Sequence, residues 1–221
     1  MRILKPNVIY LHGFASSPES RKAQYFKQRM AEHGITLQIP DLNVPSFERL
    51  TLTAMLEKIA QTVRLCPPGP VYLIGSSMGG LAALHFINQY KDAEARRTEL
   101  AVFLAPAFDF ADNRQNTLGE KGLADWEATG WLDVHNYAAD DMRRVHYGLY
   151  EDVTRYDSYA VSLLIPALVF HGVHDDVVPV NQSEVFAAER NNVTLHTLDS
   201  DHTLLNQLDI IWDATRKFFV L

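Results

Sequence analysis

Tyr72-Leu73-Ile74-Gly75-Ser76-Ser77-Met78-Gly79-Gly80-Leu81-Ala82-Ala83 is the stretch on which the fold turns. The apolar, β-branched and aromatic run from Val71 to Ile74 reads as a short buried strand that stops at Gly75. Leu81 to His85 follows at once as a helix-forming run. Between them Gly75, Ser77 and Gly79 spell G-x-S-x-G. A strand-to-helix reversal within so few residues strains the backbone at the serine, and a neighbouring Cβ would strike the facing chain. The turn therefore aims the Ser77 hydroxyl outward, with the Met78 N–H beside it at a helix N-terminus. That arrangement suits a nucleophile whose product is an oxyanion. Ser76 competes for the role, but only Ser77 has glycine at both i−2 and i+2.

Outward from this turn, strands and helices alternate. Val8 to Leu11 is a second buried-strand run, left by the loop His12-Gly13-Phe14-Ala15-Ser16-Ser17-Pro18. Ser16 or Ser17 is placed to cap a helix that runs to about His33 and closes at Gly34. Ile35 to Ile39 alternates as a strand, and Ser46 to Leu65 reads as one amphipathic helix. Pro67-Pro68-Gly69-Pro70 breaks the chain before the central strand. The helix after the serine extends to about Lys91. Leu100 to Leu104, Ala167 to Phe170 and Val193 to Leu198 are further strands, and Leu204 to Phe219 closes the chain as an amphipathic helix. Short, nearly all-apolar strands separated by helices predict an α/β fold whose mostly parallel sheet carries helices on both faces.

One segment breaks the rhythm. Residues 109–164 contain no evident strand and carry Trp126, Trp131, Tyr137, Tyr147, Tyr150, Tyr156 and Tyr159. An aromatic, mostly helical insertion between two strands is either additional core or a lid, and its position at the sheet edge favours a lid. The whole chain, 1–221, is expected to form one domain.

Composition narrows the function. The 221 residues are 47% apolar and 21% charged, the profile of an ordinary globular protein. A net charge of −7, a pI near 5.7 and the lack of any Lys/Arg cluster argue against a nucleic-acid partner. Cys66 is the only cysteine, which leaves no internal disulfide or Cys-based metal site and fits a reducing compartment. Arg2 and Lys5 precede an apolar run too short for a signal peptide, and no stretch approaches a membrane span. A cytoplasmic location is expected.

Ligands of open α/β sheets bind beyond the carboxyl ends of the strands. His12 to Phe14, Ser77, His171 to Pro179 and Asp199 to His202 all lie at such ends. A serine nucleophile needs a general base within hydrogen-bond reach and an acid to orient that base. The order Ser…Asp…His can be filled by Ser77, Asp175 and His202. Asp176 is the alternative acid. His171, His174 and the two aspartates look like a metal cluster, but no second histidine group has matching spacing, so no metal is expected. His196 falls inside a strand and reads as packing or surface. His12 is suited to shaping its loop by hydrogen bonding.

With these segments in view, the chain resembles an α/β-hydrolase of the small YqiA-like bacterial esterase family. Four pieces in order carry the resemblance: Leu11 to Pro18, Gly75 to Gly80, His171-Gly172-Val173-His174-Asp175-Asp176-Val177-Val178-Pro179, and Asp201-His202. It implies that Asp175 is the triad acid, His202 the base, and the Phe14 N–H one half of an oxyanion hole completed by Met78. Where such enzymes often have Gly-Asp or Gly-Asn before the base, this chain has Ser200-Asp201.

The expected activity is cleavage of a carboxylic ester or thioester of a small molecule through an acyl-enzyme, with no cofactor. A ligand-binding protein on the same scaffold, or a peptidase or C–C hydrolase using the same triad, are the alternatives. Trp126 and Trp131 offer apolar area with polar edges and are expected to line the acyl pocket.

Overall fold

The computed structural model describes residues 5–137 and 140–221; Arg2 lies outside them. Six strands form one parallel sheet: β1 (Asn7–Leu11), β2 (Leu37–Gln38), β3 (Val71–Ser76), β4 (Thr98–Leu104), β7 (Ala167–Gly172) and β8 (Val193–Leu198), in the spatial order β2-β1-β3-β4-β7-β8. Strand β3 runs through the middle, in register with Asn7–Leu11 on one side and with Leu100–Leu104 on the other.

Alternation along each strand sends residues to two separate cores. Ile9, Leu11, Leu73, Phe103 and Val169 face the helices α2 (Leu52–Leu65), α3 (Met78–Gln89) and α6 (Asn181–Ala188). Val8, Tyr10, Ile74, Val102 and Phe170 face α1 (Arg21–Glu32) and the closing helix α7 (Leu208–Phe219). Both faces are therefore dry, which is why these strands are apolar at nearly every position.

Several boundaries differ from the sequence reading for local reasons. Ser20 caps α1 by accepting from the Ala23 N–H, because Ser17 is taken up in a turn in which its hydroxyl accepts from the Glu19 N–H. The helix expected over 46–65 is interrupted. Phe47–Arg49 form a single 3₁₀ turn, Leu50 is extended, and Thr51 then caps α2 at the Ala54 N–H. The closing helix likewise begins with a 3₁₀ turn, Leu205–Gln207.

Residues 109–164 are the main correction. The segment opens with α4 (Phe110–Thr129), interrupted at Gly119 where φ is 68°. An antiparallel hairpin follows, β5 (Trp131–Asn136) with β6 (Asp141–His146), and then the short helix α5 (Gly148–Val153). The insertion is thus not simply helical. Its hairpin escapes a sequence reading because Asp133, His135, Arg143 and Arg144 interleave with the few apolar positions and leave no apolar run. Leu132 and Val134 alternate inward against the core while their neighbours face outward.

Candidate active site

The turn after β3 has the strain expected of it. Ser77 sits at φ 52°, ψ −118°, immediately before the first residue of α3. Its N–H donates to the Leu104 carbonyl at 2.9 Å, and its carbonyl accepts from the Gly80 N–H at 2.9 Å. Gly79 is obligatory: a Cβ there would overlap the carbonyl oxygens of Leu11 and His12. At Gly75 a Cβ would lie 2.6 Å from the Gly79 carbonyl oxygen. These contacts press β1, β3 and α3 together so that only the Ser77 side chain projects. Ser76 is 3% exposed and buried behind it.

The loops after β7 and β8 bring an acid and a base to that hydroxyl. His202 Nε2 is 3.1 Å from Ser77 Oγ, and His202 Nδ1 is 2.7 Å from Asp175 Oδ2. Because the carboxylate can only accept, Nδ1 carries the proton and Nε2 is left to accept from the serine. Asp175 Oδ1 accepts from the Val177 and Val178 N–H groups at 2.9 and 2.8 Å. Asp176 makes no such contact with the base and lines the open cleft instead.

A buried histidine completes the support of the acid. His171 Nδ1 accepts from the Ser183 hydroxyl at 2.7 Å, so Nε2–H points to the Val178 carbonyl at 2.9 Å and to Asp175 Oδ2 at 3.1 Å. Burial alone would raise the Asp175 carboxyl. Hydrogen bonds from His171 and His202, the His202 charge and the Val178 N–H outweigh it and hold the group well below the usual carboxylate range. The H-G-x-x-D spacing was the available signal for this partnership. Among the described residues, no group of three His, Cys, Asp or Glu side chains is placed to hold a metal ion.

The loop before His202 is secured by the residues that depart from the common pattern. Ser200 donates to Asn206 Oδ1 at 2.5 Å, and Asp201 Oδ1 accepts from the Thr203 N–H at 2.9 Å. Gly172 lets this loop lie directly against the end of β7, since a Cβ there would overlap the Ser200 carbonyl.

Gly13 packs against Ser77, its ideal Cβ position lying 3.2 Å from the serine Cβ. His12 Nδ1–H donates to the Gly13 carbonyl at 2.9 Å while Nε2 accepts from the Leu42 N–H at 2.9 Å, so this imidazole shapes the loop. Ala15, at φ 53°, presents its carbonyl to the Tyr137 N–H at 3.0 Å, joining the loop to the inserted hairpin. Neither the Phe14 nor the Met78 N–H has a hydrogen-bond partner among the described residues.

Ser77 and His202 open into a cleft of about 880 Å³. Its far wall comes from the insertion: Phe110, Arg114, Val134, His135 and Tyr137. Trp126 and Trp131 do not line it. Trp126 is 1% exposed, donates from Nε1 to the Val145 carbonyl at 3.1 Å and packs edge-on against Tyr147. Trp131 is covered by the guanidinium groups of Arg49 and Arg144, at 5.3 and 4.2 Å from its ring centroid. The wall residues stand on the hairpin and the start of α4, which pairing and packing place but composition does not mark. Lys22 also faces the cleft. Burial pulls its ammonium down to about 8 against the opposing pull of Asp175 and Asp201.

Three solved structures illustrate the fold. A protein from Agrobacterium vitis S4 superposes with a TM-score of 0.86 at 24% identity, over 97% of this chain and 88% of that one. Est1E from Butyrivibrio proteoclasticus, solved with ferulic acid bound, gives 0.81 at 19% identity, over 99% and 89%. Alpha/beta hydrolase domain-containing protein 10 from mouse gives 0.77 at 18% identity, over 99% and 92%. No curated protein matches the chain. The model of the uncharacterised protein family UPF0227 matches residues 7–218, and the chain belongs to that family, built on the α/β-hydrolase fold.

Proposed function

We propose that this chain is a serine hydrolase that cleaves carboxylic esters or thioesters of small molecules through an acyl-enzyme. The observation that carries the reading is the unbroken relay from Ser77 Oγ to His202 Nε2 and from His202 Nδ1 to Asp175 Oδ2, opening on the cleft. As Ser77 Oγ bonds to the acyl carbon, its proton passes to Nε2 and the carbonyl electrons move to oxygen. The N–H groups of Phe14 and Met78 receive that oxyanion, each contributing about 3 kcal/mol to the transition state by analogy with other such donors. Collapse expels the alcohol or thiol, which takes the proton from Nε2. Water then repeats the sequence and frees the acid and Ser77. Asp175 holds the Nδ1–H tautomer and offsets the imidazolium charge without taking up a proton.

Acyl transfer of this kind uses only proton relays and oxyanion donors. A binding protein on the same scaffold has no use for an oriented acid and base, which favours the enzyme over that alternative. A fluorophosphonate probe followed by peptide mapping tests the reading. Modification of Ser77, absent in Ser77→Ala, together with turnover of p-nitrophenyl esters is expected. Turnover that survives in Ser77→Ala would overturn it.

A further inference from the structure

Two half-buried arginines of this protein spend their donors on backbone carbonyls. Arg97 donates to the carbonyls of Val63, Pro67 and Gly69, and Arg190 to those of Tyr159, Val161 and Phe186. Arg114 is different. It lies in the cleft that holds Ser77, yet among the described residues it has no hydrogen-bond or ion-pair partner, and its Nε is shut off from solvent. The side chain is half-buried, and only Nε is enclosed, as is Nε of Arg29. Arg29, however, pairs with Glu32 through its terminal nitrogen, whereas the Arg114 fork is left without an acceptor at the cleft.

Its position is also set in advance. The guanidinium carbon is 5.4 Å from the Phe110 ring centroid and 5.9 Å from that of Phe14. Those two rings meet edge to face at 5.8 Å, and Phe14 stacks on Phe47 at 5.9 Å. The turn of α4 that carries Arg114 is tied down by Gln182, which donates to Asn113 Oδ1 at 2.7 Å. Desolvation lowers the guanidinium pKa from its ordinary value, yet an arginine keeps its charge under all physiological conditions. The carboxylates in the same cleft do not neutralise it. Glu19, Asp176 and Asp201 form no ion pair with Arg114, and Asp201 is occupied by Thr203.

From this juxtaposition of a fixed, unpaired guanidinium and the Ser77 hydroxyl in one cleft, we propose that Arg114 is a specificity residue for esters bearing a carboxylate. This assignment rests on the acyl-transfer reading of the same cleft and names its substrate class. The planar fork of donors matches a carboxylate in two-pronged fashion and supplies orientation as well as affinity. The carboxylate is carried either by the acyl chain or by the alcohol, and the two require different substrates to distinguish.

The test compares kcat/KM by acid release for two matched pairs. Monomethyl adipate against dimethyl adipate places the charge on the acyl side. The butyryl ester of glycolate against that of glycolamide places it on the alcohol side. The unsubstituted protein is expected to prefer the anionic member of one pair about tenfold or more, in keeping with a charge-assisted hydrogen bond. Arg114→Met is expected to bring that ratio to about one, and Arg114→Lys to retain part of it. Equal use of charged and neutral members by the unsubstituted protein overturns the proposal. So does a ratio unchanged in Arg114→Met, which would make the arginine a packing residue for Phe14. Should no ester be hydrolysed at all, the acyl-transfer reading falls separately. Calorimetric titration of Ser77→Ala with both matched pairs, monomethyl and dimethyl adipate and the butyryl esters of glycolate and glycolamide, then decides. Preference for the anion that disappears on adding Arg114→Met upholds anion recognition, and no preference ends it.

Discussion

His85 gives the sharpest test of how the insertion is held over the nucleophile helix. It stands on α3, beyond Ser77, and is 2% exposed. The Ser158 hydroxyl donates to the Phe108 carbonyl at 2.8 Å, which leaves its lone pair to accept His85 Nε2–H at 3.2 Å. The Tyr156 ring meets the imidazole edge-on at 5.0 Å. Burial pulls the histidine down to about 4, opposed in part by the charge of Asp157. It is therefore neutral in the fold and takes up a proton on unfolding below about pH 6.5. The resulting stability is fully present above that value and is lost as the pH falls towards 4. Moving from pH 7 to pH 5 removes about 2 kcal/mol through this one group. His85→Phe keeps a ring of similar size against Tyr156 and abolishes the titration. It should cost about 1 kcal/mol at pH 7 for the lost hydrogen bond. Between pH 7 and pH 5 its stability should then fall by about 2 kcal/mol less than that of the unsubstituted protein. Urea unfolding at pH 7, 6 and 5 and constant ionic strength measures this, since the other titrating groups cancel in the difference. Parallel pH dependences in the two proteins would refute the reasoning.

Asp175→Asn should lower kcat on any ester the protein turns over by up to about 10⁴ through the wrong imidazole tautomer, and Asp176→Asn should cost far less. The reverse ranking would move the acid by one residue. Trp126→Ala should cost about 3–5 kcal/mol in urea unfolding and leave the preferred acyl-chain length unchanged, because the ring is core. Val134→Phe, in the cleft wall, should shift that preference towards shorter chains over acetyl to decanoyl esters; a shift in the tryptophan variant instead would reverse these roles.

What could be read from the sequence was local. The run Val71 to Ala83 announces strand, strained turn and helix because each depends on neighbours within a few residues, and the glycines are demanded by backbone contacts at that turn. The apolar strands declare a covered parallel sheet because burial on both faces removes every polar position. From there the strand ends bring His12 to Phe14, Ser77, Asp175 and His202 to one edge. What the tertiary structure decided was everything set by partners distant in sequence. Asp175 and Asp176 are equivalent as letters. Only the turn that gives Val177 and Val178 N–H groups to Asp175 Oδ1 leaves its other oxygen for His202 and His171. The hairpin of residues 131–146 and the fate of its neighbouring tryptophans likewise depend on cross-strand pairing. Two strands that alternate polar with half-buried positions gain their stability from each other and from the surface beneath, and that information is not local to either.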